Sequence, residues 1–156
     1  MKLTEFIHKK AIIPTLKATD KKGAIQELVQ AARKAYDGER FVVADIVDGV
    51  VQREKLGSTG IGGGVGVPHA KLDGIKNVIG AFGRSAVPLD FNAVDGQPVS
   101  LIFLIIAPPS KNDAYLKALQ KVMAALKKPN FIKFLKGAKT SRDIEEIFRE
   151  VEEVAV

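Results

Sequence analysis

The sequence predicts an α/β fold: a mixed central β-sheet with helices on both faces, built as one domain over residues 1–156. Three observations carry this. Apolar residues recur at helical spacing in several separate stretches, such as Ile25, Leu28, Val29 and Ala32. The stretch from Val99 to Ala107 is apolar at nearly every residue, the pattern of a central strand covered on both faces. Helical and strand segments also intermix along the chain, which favours a layered α/β arrangement.

Taken in order, Ile12 to Leu16 reads as a short strand. Asp20 is placed to cap a helix from about Lys21 to Tyr36, which Asp37-Gly38 then stops. The segment Val42 to Leu56 is rich in β-branched valines. Val43, Ile46, Val47, Val50 and Val51 nevertheless fit one helical face while Asp45, Asp48 and Gln52 fall off it, so a helix capped by Gly57 is expected. Strands are expected over Asn77–Ala86 and Pro98–Ala107, the second ended by Pro108-Pro109. Ser110 with Asp113 forms a capping-box pattern ahead of a helix whose stripe is Leu116, Leu119, Met123 and Leu126. A short helix is expected from Pro129 through Phe134. Thr140 with Asp143 repeats the capping pattern before a last helix bearing Ile144, Ile147, Phe148 and Val151.

Composition removes several function classes. The chain has 156 residues, 46% hydrophobic and 27% charged, a balance suited to a self-standing core. With no cysteine there is no disulfide scaffold, thiol nucleophile, zinc–thiolate site or iron–sulfur cluster, and His8 and His69 alone cannot form a histidine-rich metal site. The longest apolar run, Leu101–Ala107, is far short of the ~20 residues of a membrane-spanning helix. The first residues lack the apolar stretch of a signal peptide, so a cytoplasmic protein without membrane insertion is expected. The formal charge of +6 is uneven: residues 141–156 carry −4 and the first 140 carry +10. Such a surface suits anionic phosphates or an acidic protein partner. Its basic residues are scattered pairs without an aromatic ladder or a DNA-reading motif, which argues against nucleic acid.

The informative stretch runs from Arg53 to Lys71. Six of the 14 glycines lie between Gly57 and Gly66, a density that signals unusual dihedrals or a ligand against bare backbone. Ser58 and Thr59 add hydroxyl donors and Arg53 a guanidinium suited to phosphate oxygens. His69 closes the stretch with the only good nucleophile nearby. No Gly-Lys pair exists for a Walker loop, no glycines have GxGxxG spacing, and Ser58 lacks a G-x-S-x-G elbow. A lone histidine is more often structural, but hydroxyls, bare backbone and an arginine sixteen residues earlier favour a site role for His69. His8, between Ile7 and Lys9-Lys10, reads as a partly exposed surface histidine.

These residues carry a resemblance. Arg53-Glu54, Ser58-Thr59-Gly60-Ile61-Gly62, Pro68-His69 and Asp95-Gly96-Gln97-Pro98-Val99 together resemble the active-site signature of enzyme IIA domains of the phosphoenolpyruvate-dependent sugar phosphotransferase system. The type is that of fructose, mannitol and nitrogen-regulatory IIA proteins, and the likeness covers nearly the whole chain. It implies a phosphohistidine relay. His69 would accept a phosphoryl group from the phosphocarrier protein HPr and pass it to a IIB domain, with Arg53 steadying the group. Ser58, Thr59 and Gly60 are candidate phosphate-binding positions, and Glu54 is a candidate neighbour of the site. A regulatory protein, acting on partner proteins according to its phosphorylation, is the alternative. Neither metal nor cofactor is needed for the step. Neutral imidazole offers a ring nitrogen for in-line attack, and preorganised N–H groups with Arg53 would stabilise the charge on phosphorus. One departure stands out: Tyr115 occupies the place where many relatives carry a second histidine. Either it donates a hydrogen bond at the site without a charge, or it is a packing residue of its helix.

Overall fold

The structure, a computed structural model, describes residues 1–153. The elements are α1 (Leu3–Phe6), β1 (Ile7–Ile13), α2 (Lys21–Ala35), α3 (Val43–Leu56), β2 (Gly60–Gly62), β3 (Val65–Gly66), β4 (His69–Lys71), β5 (Ile79–Leu89), β6 (Val99–Ala107), α4 (Asn112–Leu126), α5 (Phe131–Gly137) and α6 (Ser141–Glu153). The sheet order is β1-β5-β6-β3-β2, with β4 also pairing β6. β5 and β6 are antiparallel, whereas β1 joins β5, and β3 and β4 join β6, in parallel. This is the expected mixed α/β sheet.

β6 is central because both of its faces are covered. Ile102, Leu104 and Ile106 pack into a core with Ile25, Leu28 and Val29 of α2 and Ile46, Val47 and Val50 of α3. Leu101, Phe103 and Ile105 pack on the other side with Val122 of α4, Phe131 of α5, and Ile144 and Phe148 of α6. Strand alternation sends successive side chains to opposite faces, so an unbroken apolar run is what a doubly covered strand requires.

The helix caps follow the sequence at two of the places where a side chain was expected to supply them. Asp20 accepts from the Gly23 amide at 2.7 Å, and Thr140 accepts from the Asp143 amide at 3.1 Å. Ser110 does not cap α4. Pro109, with its fixed φ, opens a 3₁₀ turn over Pro109–Lys111 instead, and α4 begins without a side-chain cap.

Other expectations shift. The first strand is Ile7–Ile13, not Ile12–Leu16, because Pro14 has no N–H to continue the ladder, although the Leu16 amide still bonds the Arg84 carbonyl at 2.8 Å. α5 starts at Phe131, after Asn130, whose φ of 67° is left-handed and non-helical. In α4 the buried stripe is Tyr115, Ala118, Val122 and Ala125. Leu116 and Met123, expected on the buried face, are exposed.

Candidate functional site

Most of the glycine stretch is explained by folding geometry. Gly62, Gly63 and Gly64 have φ of 99°, 67° and 81°, left-handed conformations that turn the chain from β2 into β3. Gly60 is required by close approach: a Cβ there would lie 2.7 Å from the Ala93 Cβ and 2.8 Å from its Cα. The Val94 amide bonds the Gly60 carbonyl at 3.0 Å, and Asp95 accepts from the Gly63 amide at 3.1 Å. Two blocks far apart in sequence, the glycine stretch and Phe91–Gly96, are thus one substructure. Gly57 differs. Its φ of 169° is ordinary extended backbone and nothing lies within 4 Å of its Cβ position.

The last turn of α3 delivers Arg53 and Glu54 to this loop. The Arg53 guanidinium donates to the Gly57 carbonyl at 3.1 Å. Glu54 points inward and is only 8% exposed. Its carboxylate accepts the Thr59 amide at 3.2 Å, accepts the Thr59 hydroxyl, and pairs with the Lys21 ammonium at 2.5 Å. The Ser58 hydroxyl donates to the Phe91 carbonyl at 2.5 Å and accepts from the Gly60 amide at 3.0 Å. Both hydroxyls expected to face phosphate are engaged in bracing the loop.

His69 opens β4, in register with Ile105 of β6, and is half-buried. Its Nδ1 lies 2.6 Å from the Val67 carbonyl oxygen. A carbonyl can only accept, so this contact requires the proton on Nδ1, and in the neutral ring that leaves the lone pair on Nε2. The Tyr115 ring, in the first turn of α4, sits 6.1 Å from the imidazole, centroid to centroid. Burial pushes the Tyr115 hydroxyl up to about 12, opposed by the nearby Arg53 charge. Tyr115 is therefore both a packing residue and a neighbour of His69, with Arg53 within electrostatic reach. Lys71, two residues along β4, holds its ammonium 5.8 Å from the same ring and 2.7 Å from Asn112 Oδ1.

Residues 5–151 match the family described as phosphoenolpyruvate-dependent sugar phosphotransferase system, EIIA 2. The chain belongs to this family. A nitrogen regulatory protein of Bradyrhizobium diazoefficiens is 40% identical over 148 residues, covering 95% of this chain and 93% of that protein. The fructose-specific EIIABC component of Bacillus subtilis is 33% identical over 150 residues, which are 96% of this chain and 23% of that one. Among solved structures, the nitrogen regulatory protein IIA-Ntr of Neisseria meningitidis superposes with a TM-score of 0.85 at 29% identity, covering 94% of this chain and 98% of that one.

Within this EIIA 2 chain, then, Tyr115 lies beside His69 and within electrostatic reach of Arg53, while Glu54, Ser58 and Thr59 brace the loop after α3. Sequence reasoning missed Lys21 and Lys71. Lys71 carries a readable signal, since i and i+2 on a strand share a face with His69. Among the described residues no group of three or more His, Asp or Glu comes together to hold a metal ion, and no helix is long and apolar enough to cross a membrane.

Proposed function

We propose that this EIIA 2 protein is a phosphoryl carrier that accepts its group on Nε2 of His69. The observation that carries the reading is the 2.6 Å contact of Nδ1 with the Val67 carbonyl, which leaves Nε2 as the nucleophilic ring nitrogen. In the transfer, a bond forms between Nε2 and phosphorus while the bond from phosphorus to the donor, an HPr-type phosphocarrier, breaks. Arg53 serves the equatorial oxygens, where charge accumulates. Incubation with phosphorylated HPr should give an acid-labile, base-stable adduct that is absent from His69→Ala. Full labelling of His69→Ala, or labelling of Ser58, would overturn the assignment.

The phosphohistidine has two candidate uses. The 40% identical relative named a nitrogen regulatory protein, matched over nearly its whole length, supports control of partner proteins by phosphorylation state. The fructose-specific relative supports onward transfer to a IIB component. A chase with IIB separates them: rapid loss of label to IIB supports the relay, and label retained on His69 supports the regulator.

A further inference from the structure

Lys21 occupies an unusual place. It is the first residue of α2, where the helix dipole disfavours a cation, directly after the Asp20 carboxylate that caps the helix. Its side chain is 20% exposed and reaches across to the loop, with Nζ 2.5 Å from Glu54 Oε2, 3.2 Å from the Phe91 carbonyl oxygen and 4.8 Å from the Phe91 ring centroid. Both of its polar partners are themselves loop anchors. Glu54 holds Thr59 by amide and hydroxyl, and the Phe91 carbonyl also receives the Ser58 hydroxyl.

We infer that Lys21 is a positioning residue for phosphoryl transfer, acting through Glu54 and the Phe91 carbonyl on the Gly57–Gly60 loop and on Arg53 at the end of α3. The inference rests on the phosphoryl-carrier reading above. Its physical basis is that a buried carboxylate needs a charged partner to offset its lost hydration. Without Lys21, Glu54 turns toward water and releases Thr59, and the backbone from Gly57 to Gly60 loses its register. Arg53 adjoins Glu54 in sequence and bonds the Gly57 carbonyl, so its fork moves with that backbone. The contacts of Lys21 run to Glu54 and Phe91, so its effect is one of orientation.

The test compares Lys21→Met, Lys21→Arg, Glu54→Gln and the double variant Lys21→Met/Glu54→Gln in the full chain, below the unfolding transition of each as measured by circular dichroism. Rates of phosphoryl transfer from phosphorylated HPr are read together with the amide resonances of Thr59 and Gly60. Lys21→Met should lower kcat about tenfold while KM for the donor changes less than about twofold, as expected for a group that orients the reacting site. Lys21→Arg should recover most of that loss. The double variant should be no slower than Lys21→Met, because both changes break one linkage. The Thr59 and Gly60 amides should shift in Lys21→Met and return toward wild type in Lys21→Arg.

A Lys21→Met protein that melts earlier but transfers at the wild-type rate would overturn the inference, leaving Lys21 a structural ion pair. So would an increase in KM alone, which would make it a docking residue. If the wild type takes up no phosphoryl group, the carrier reading fails and the role of Lys21 falls with it. Wild-type labelling with an unaffected Lys21→Met defeats the role of Lys21 alone.

Discussion

Two arms frame the candidate site, and they are built by different physics. The α3 arm, with Arg53, Glu54, Lys21 and the Gly57–Gly60 loop, is held by a buried ion pair and by hydrogen bonds of fixed direction. The α4 arm, with Tyr115 beneath the Lys71 ammonium that also bonds Asn112, is held by burial of an aromatic ring and one cation against its face. Directional contacts fix a donor within narrow limits, whereas packing tolerates volume-conserving exchange. The α3 arm should therefore be the intolerant half of the site and the α4 arm the adjustable one.

The largest expected effect lies on the intolerant side. Arg53→Lys keeps the charge but loses the planar fork that bonds Gly57 and, on the proposed reading, serves the phosphoryl oxygens, so transfer from phosphorylated HPr should fall on the order of 10- to 100-fold with the fold intact. Rates within about twofold of wild type, on the scale of rate against barrier, would break the comparison at its strongest point.

Next comes a pair of glycines in the same loop. Gly60→Ala forces a methyl against the Ala93 backbone and should cost roughly 1–3 kcal/mol by urea denaturation. Gly57→Ala, in extended backbone facing open space, should stay within about 0.5 kcal/mol. Equal costs would mean that the loop is not braced where the close approach to Ala93 places the brace.

The smallest effects belong to Tyr115. Tyr115→Phe should slow transfer only several-fold, about the worth of one neutral hydrogen bond, and Tyr115→His should accelerate it by adding a donor that can carry charge. The phenol also gives a pH signature. Its folded value, raised to about 12 by burial, lies above the ordinary 10.0, so its stabilising contribution is complete below pH 10 and is lost as pH rises through 12. Tyr36, raised by its own burial, titrates in the same direction. The difference in alkaline stability between wild type and Tyr115→Phe isolates the Tyr115 share. An unchanged alkaline slope in Tyr115→Phe would leave the trend to Tyr36 and other groups.

Legibility in the sequence followed the range of the forces involved. α2, α3 and α6 were readable because their buried faces recur every three to four residues, and β6 because its apolar run is unbroken. The apolar pattern of α4 points one position out of phase with its buried face. Its buried face carries Ala118 and Ala125, small residues weak in any hydrophobic count, while the larger Leu116 and Met123 lie outside. β2, β3 and β4 run to three residues or fewer, too short for a period to show. At the site, His69 and Arg53 stood out through their company of glycines and hydroxyls. The inward turn of Thr59 and Ser58 was invisible because their partners, Glu54 and the Phe91 carbonyl, are chosen by tertiary packing. Lys21 is 33 residues from Glu54; its only local sign was a cation at a helix start.

The bond from His69 to Val67 reaches back only two residues along the chain, and it has a bearing on proton traffic. On the proposed reading, Nδ1 keeps its hydrogen before, during and after attack by Nε2, because the carbonyl it faces cannot take one away or supply another. The loaded ring is then a phosphorylated imidazolium, whose positive charge makes it a ready leaving group. On that reading, loading and unloading need no general base at Nδ1. On the proposed reading, carriage of the phosphoryl group at this histidine would be proton-neutral, held so by a main-chain oxygen, which no side-chain substitution can remove.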